Sequence, residues 1–197
     1  MFTSLVIFSF FLVSALEGSD PKKCCMPDEW FSYLSDLVLV TKGNLVGNTY
    51  SYSYKLKKVA VSSFEFVPSG GPSKPIVRTV FDYTQKKVFY IKPDGTCTSG
   101  PNTDKIHRPC IPDDATYLGS NYFGFFPIQL PFHAWKFQYV DSPKANITIV
   151  FTQEGCVPIV EGVSGKFNGA HTEGTFVFSG YEPEVKDKSV FKVPPGC

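Results

Sequence analysis

Charge of one sign is what this sequence most lacks: 19 Lys and Arg stand against 18 Asp and Glu, a formal net charge of +1 over 197 residues. The two signs are mixed along the chain. That excludes the concentrated basic surface with which nucleic acid or an anionic membrane is held. Histidine is scarce too, with three in all, and His107, His133 and His171 stand alone without the paired spacing of a metal site. No phosphate-binding loop occurs. Gly162-Val163-Ser164-Gly165 comes nearest to a nucleophile elbow, but Lys166 occupies the place of its last glycine. With no catalytic constellation, the chain is expected not to be an enzyme and to require no cofactor.

Long apolar runs are also missing. Leu5 to Leu16 is nearly all apolar, but about a dozen residues are too few to span a bilayer. With the small residues Val13-Ser14-Ala15 at its end, it reads as a secretory signal cut after Ala15. The expected organisation is a signal peptide at 1–15 and a single β domain over 16–197. A composition of 43% hydrophobic and 16% aromatic residues argues against disorder and suits one substantial core.

What the chain does have is cysteine and alternation. Cys24, Cys25, Cys97, Cys110, Cys156 and Cys197 all follow the expected cleavage point, and an even number in a secreted chain favours disulfides. Excluding a bond between the adjacent Cys24 and Cys25 still leaves most of the 15 connectivities open. Tyr50, Tyr52, Tyr54 and Leu56 alternate with polar residues, as do Trp135, Phe137 and Tyr139 and then Ile147, Ile149 and Phe151. This two-residue period marks half-buried strands. Ile76–Tyr83 and Val88–Ile91 form another expected hairpin around Thr84-Gln85-Lys86-Lys87, with Phe81, Tyr83, Phe89 and Ile91 on one face.

Ile159–Phe167 and Gly174–Tyr181 complete the set, joined through Asn168-Gly169. Asp36–Val40 is too short for either period to declare itself, and Asp113–Leu118 is expected as a short helix. Asn121–Pro127 is the densest aromatic cluster, suited to capping a core or lining the mouth of a cavity. Strands every ten to fifteen residues, with few helical patterns, predict an antiparallel, mainly β architecture.

Asn146-Ile147-Thr148 is an acceptor for N-linked sugar, and Asn146 points opposite Ile147. Asp113-Asp114 and Glu182-Pro183-Glu184 are oxygen-rich pairs on loops, weak candidates for a hard cation because neither has ordered ligand spacing.

An ordered series of short motifs resembles the ependymin-related proteins. It comprises Cys24-Cys25-Met26-Pro27 with Trp30, Phe81-Asp82-Tyr83 with Lys87-Val88-Phe89 and Cys97, Cys110-Ile111-Pro112 with Ala115, and Cys156-Val157-Pro158-Ile159. Ser189-Val190-Phe191 with Pro194-Pro195-Gly196-Cys197 closes it. The resemblance implies two stacked curved antiparallel sheets enclosing an apolar pocket, similar to bacterial lipoprotein carriers, with one or two short helices. It implies a secreted, extracellular glycoprotein, usually a homodimer, that binds a lipid or other hydrophobic small molecule. Calcium association and a matrix, cell-surface or signalling partner are implied as well. The implied disulfides are Cys97 with Cys197, Cys24 or Cys25 with Cys156, and the other of that pair with Cys110.

Taken alone, the aromatic alternation favours a closed core, and composition cannot separate a core from a pocket. The resemblance shifts the weight toward a pocket whose candidate lining is Phe81, Phe89, Ile91, Trp135, Phe137, Tyr139, Ile147, Ile149, Phe151, Phe176 and Phe178. The competing expectation is a matrix or cell-surface interaction module without a cavity.

Overall fold

The structure is a computed structural model that describes residues 20–41, 43, 46–66, 72–139, 144–167 and 170–197. The expected signal peptide at 1–15 lies outside the described residues, as do 67–71 and 140–143, where prolines and glycines at 68–75 and Asp141-Ser142-Pro143-Lys144 are expected as a connection and a turn, and Asn168-Gly169.

The elements are β1 (Glu29–Asp36), α1 (Leu37–Thr41), β2 (Val46–Ser53), β3 (Lys58–Glu65), β4 (Lys74–Asp82), β5 (Lys87–Ile91) and β6 (Cys97–Pro101). They continue with β7 (Thr116–Phe125), β8 (Ile128–Tyr139), β9 (Lys144–Thr152), β10 (Pro158–Phe167), β11 (Ala170–Glu182) and a 3-10 turn, Lys188–Phe191. Mainly β and antiparallel is thus what the chain adopts. The expected pair of sheets is replaced by one 11-stranded sheet in the order β6-β5-β4-β3-β2-β1-β11-β10-β9-β8-β7. The joint is β1, which pairs with β2 on one side and with β11 on the other. Local periodicity cannot reveal that pairing, because β1 and β11 come from opposite ends of the chain.

β9 shows why the strands form. Ala145, Ile147, Ile149 and Phe151 are buried while Lys144, Asn146 and Thr148 face solvent, an alternation that only a pleated strand can satisfy. Asp36–Val40 divides its allegiance: β1 runs to Asp36, and α1 begins with the Leu39 amide donating to Asp36 Oδ1 at 3.3 Å, as a helix-capping carboxylate does. The helix expected over Asp113–Leu118 is a turn followed by β7, where Tyr117 pairs with Trp135; pairing with the long β8 overrides local preference. Residues 170–173, which precede the strand expected to begin at Gly174, extend β11, with Ala170 opposite Phe167.

The connection from β6 to β7, residues 102–115, has to pass from one edge of the sheet to the other. Laid flat, eleven strands about 4.8 Å apart would separate those edges by about 48 Å, near the full stretch of such a connection. Yet the connection is folded. It turns at Asp113-Asp114, and Cys110 bridges to Cys25 with the Met26 amide donating to the Pro109 carbonyl at 2.8 Å and the Ile111 amide to Cys24 at 3.0 Å. The sheet therefore curls, and the connection crosses its concave face as a cap.

The opposite face of β3, β4 and β5 carries a separate core. Ala60, Val80, Phe89 and Ile91 are buried there against Val185 and Phe191 of the C-terminal segment. The Arg78 guanidinium fastens that segment by donating to the carbonyls of Ser189 and Val190 at 2.9 and 3.0 Å, and Cys97 bonds to Cys197.

Candidate functional site

Beneath the cap lies a cavity of about 560 Å³. Trp30 and Leu34 of β1, Tyr50 and Tyr52 of β2, Val59 and Val61 of β3 and Phe81 of β4 form one wall. Phe137 and Tyr139 of β8, Ile147, Ile149 and Phe151 of β9, Val163 of β10, and Phe176 and Phe178 of β11 form the other. Met26 and residues 104–111 close the top. Contacts lock cap to walls: the Tyr52 hydroxyl donates to the His107 carbonyl, the His107 ring stacks on Tyr139 with centroids 4.0 Å apart, and the Arg108 guanidinium lies 5.4 Å from the centre of the Tyr54 ring. Trp30 stacks on Tyr50 at 5.1 Å and on Tyr52 at 5.7 Å, so one wall is an aromatic slab.

Eight of the eleven expected lining residues border this cavity: Phe81, Phe137, Tyr139, Ile147, Ile149, Phe151, Phe176 and Phe178. Three do not. Phe89 and Ile91 belong to the opposite face because the β4–β5 register sets Phe81 opposite Val88 and Phe89 opposite Val80. A one-residue offset at the turn moves a whole row across the sheet. Trp135 is on the correct face but is covered, 1% exposed, in a cluster with Ile111 and Ala115 beneath Cys24 and Met26.

The aromatic cluster at 121–127 lines no mouth. It forms the projecting tip of the β7–β8 hairpin, where Phe125, Phe126 and Ile128 are 70%, 84% and 70% exposed.

Sequence reading missed Glu161. It sits in β10 between Ile149 of β9 and Phe176 of β11, and lines the cavity. Its carboxyl keeps some free surface because it borders that cavity, while protein encloses it all round, and burial pushes its pKa up from 4.5 to about 7. The available signal was parity: Glu161 shares its side of the strand with Val163. Burial likewise raises the Tyr139 phenol to about 12 and the Tyr50 phenol well above its usual value, with Glu161 adding to both. The tyrosines therefore stay neutral.

The disulfides are Cys24–Cys156, Cys25–Cys110 and Cys97–Cys197. Asn146 is exposed on the face of β9 turned away from the cavity. Among the described residues no group of three or more His, Cys, Asp or Glu could hold a metal. Of the four acidic candidates, Glu182 is paired with Lys186 at 2.8 Å, and the Asp113 carbonyl accepts from the Lys23 ammonium; Asp114 lies on the same turn, and Glu184 precedes the C-terminal 3-10 turn. Ser164 lies inside paired β10. His133 Nδ1 meets Ser120 Oγ at 2.6 Å because the two residues are directly opposite in the β7–β8 ladder.

The family model for ependymin matches residues 72–197. The chain belongs to the ependymin family. Among its relatives are two abalone proteins from Haliotis asinina. Ependymin-related protein 2 is 28% identical over 129 residues, 61% of this chain and 63% of that protein. Ependymin-related protein 1 is 24% identical over 127 residues, 61% and 64% of the two chains. The matches thus span less than two thirds of either abalone protein. Ependymin-2 of the goldfish Carassius auratus is 26% identical over 198 residues, 98% of this chain and 87% of the relative. Among solved structures, an uncharacterized conserved protein from Thermus thermophilus is similar at a TM-score of 0.49 and 9% identity, over 85% of this chain and 86% of the other. Cys97, Cys110, Cys156 and Cys197 all fall inside the ependymin match, whereas Cys24 and Cys25 precede it.

Proposed function

We propose that this ependymin family member is an extracellular carrier that binds a lipid or another hydrophobic molecule in the capped cavity and performs no catalysis. The observation that carries this reading is the cavity itself. Its volume of about 560 Å³ falls within the few hundred to about 1,000 Å³ of small-molecule sites, and its walls are aromatic and branched aliphatic side chains. A closed core would be packed at crystal-like density with few voids larger than a water molecule, so the cavity speaks against an interaction module with a solid interior. Each methylene moved from water into such a site contributes about 0.8 kcal/mol.

In this reading the two halves of the curled sheet act as facing walls, the arrangement expected from the likeness to bacterial lipoprotein carriers. The three disulfides suit an oxidising, extracellular compartment, and a sugar on Asn146 would keep the outer face wet. A homodimer, or a matrix or cell-surface partner, would use surface away from the cavity. The exposed tip around Phe125 and Phe126 is the place to test for it. The calcium implied by the resemblance has no donor cluster among the described residues and forms no part of the proposal.

Organic extraction of purified protein followed by mass spectrometry tests the carrier reading. A stoichiometric lipid, or uptake of an apolar fluorescent probe that lipid displaces, is expected. Absence of both refutes it.

A further inference from the structure

Glu161 gives the cavity a polar point that a store for plain hydrocarbon does not need. Its cross-strand neighbours on the lining face are Ile149 and Phe176. No hydrogen bond or ion pair to its carboxyl occurs among the described residues, and burial alone acts on its ionisation. The nearby polar groups on the walls are the Tyr50 and Tyr139 phenols, which sense its charge without bonding to it. On the cap, Asp104, Lys105, His107 and Arg108 also border the cavity, with the Arg108 guanidinium drawn to Tyr54, and none of them bonds to the Glu161 carboxyl.

A carboxyl enclosed without a partner is costly. A ligand that brings a donor removes that cost, whereas a bare hydrocarbon leaves it standing and a second carboxylate adds like-charge repulsion.

Building on the carrier reading, we propose that the pocket selects amphiphiles whose head donates hydrogen bonds, long-chain amines above all, with the head on Glu161 and the tail among Phe137, Ile149, Phe176 and Phe178. An ammonium supplies three donors and the complementary charge. An alcohol supplies one donor and no charge. A fatty-acid anion supplies neither. The expected order is therefore amine, then alcohol, then carboxylate at equal chain length.

The test is displacement of N-phenyl-1-naphthylamine from the full chain at pH 7.5 by dodecylamine, dodecanol and dodecanoate, each below its micelle concentration. Dodecylamine is expected to displace the probe at a concentration at least about tenfold lower than dodecanoate, the span of one charge-assisted hydrogen bond. Glu161→Gln keeps shape and volume, so probe binding is expected to persist while the advantage of the amine over the alcohol disappears. Equal displacement by amine and carboxylate in the unmodified protein, or an unchanged order in Glu161→Gln, overturns the selection by Glu161 and leaves the carrier reading intact. If the unmodified protein takes up neither probe nor amphiphile, the carrier reading fails and this inference falls with it.

Discussion

An ionisable carboxyl inside an apolar cavity should make the empty protein less stable as pH rises, and Glu161 allows the size of that effect to be worked out. In the unfolded chain it titrates at its ordinary value near 4.5, and in the folded protein at about 7. The folded state therefore binds more protons between these values. Its stabilisation is full below pH 4.5 and is lost as pH rises through 7. A rise of about 2.5 in pKa at about 1.4 kcal/mol for each pH unit sets an upper limit of about 3.5 kcal/mol, and between pH 5 and pH 8 about 2 to 3 kcal/mol of it should disappear.

The perturbation is Glu161→Gln, which cannot ionise. Tyr50, Tyr52, Tyr83 and Tyr139 face the same cavity from the walls, with Asp104, Lys105, His107 and Arg108 on the cap. Only the difference between the two proteins isolates Glu161 from them. Urea unfolding with disulfides intact reads that difference through Trp30 and Trp135, which are 5% and 1% exposed when folded. The unmodified protein should lose stability relative to Glu161→Gln from pH 5 to pH 8, with the steepest change near pH 6, about midway between the unfolded and folded values, where the two states differ most in bound protons. A difference flat across that range would falsify the enclosed carboxyl and the head-group selection built on it.

Three further outcomes follow from other parts of the molecule. Ile149→Trp pushes a ring into the cavity, and should weaken probe binding at least about tenfold in a fluorescence titration while changing stability by less than about 3 kcal/mol. Asp82 is 1% exposed, pairs with Lys58 at 3.0 Å and accepts from the Thr84 and Gln85 amides at 3.0 and 2.8 Å. Asp82→Ala strands those donors and should cost about 2 to 4 kcal/mol by denaturant titration. Phe125→Ser combined with Phe126→Ser removes exposed rings with little buried contact, so stability should stay within about 0.5 kcal/mol. Sedimentation velocity should show less self-association if the tip joins two copies.

Strand content was legible wherever one face is buried and the other wet, as in β9 and β8, because the period of two is imposed by the pleat itself. Eight lining residues could be chosen that way. The errors arise where a local pattern has no access to register: nothing within Phe81–Ile91 says that Phe81 stands opposite Val88 rather than Phe89. The period of two also says nothing about what covers a strand, which is why Trp135 was placed in a cavity that the N-terminal segment seals off from it. Curling into one sheet was likewise hidden, since β1 and β11 meet only after the whole chain has folded. Glu161 was overlooked for the opposite reason. A lone charged residue in a β-rich stretch reads as a solvent-facing position, and only its parity with Val163 shows otherwise.

The adjacent cysteines explain how the cap is tied covalently to the wall beneath it. Neighbouring residues in an extended chain point to opposite sides, so Cys24 and Cys25 can reach different targets. Cys24 bonds to Cys156, just beyond β9 in the wall, and Cys25 to Cys110 in the cap. The N-terminal segment thereby clamps the cap to the wall that carries Ile147, Ile149 and Phe151. On the other side, the cap is held through the Tyr52 hydroxyl on the His107 carbonyl and Tyr54 beside Arg108. Covalent attachment therefore ties the cap to one wall, and hydrogen-bonded and cation–ring contacts tie it to the other, so the cavity roof is held from both sides of the curled sheet.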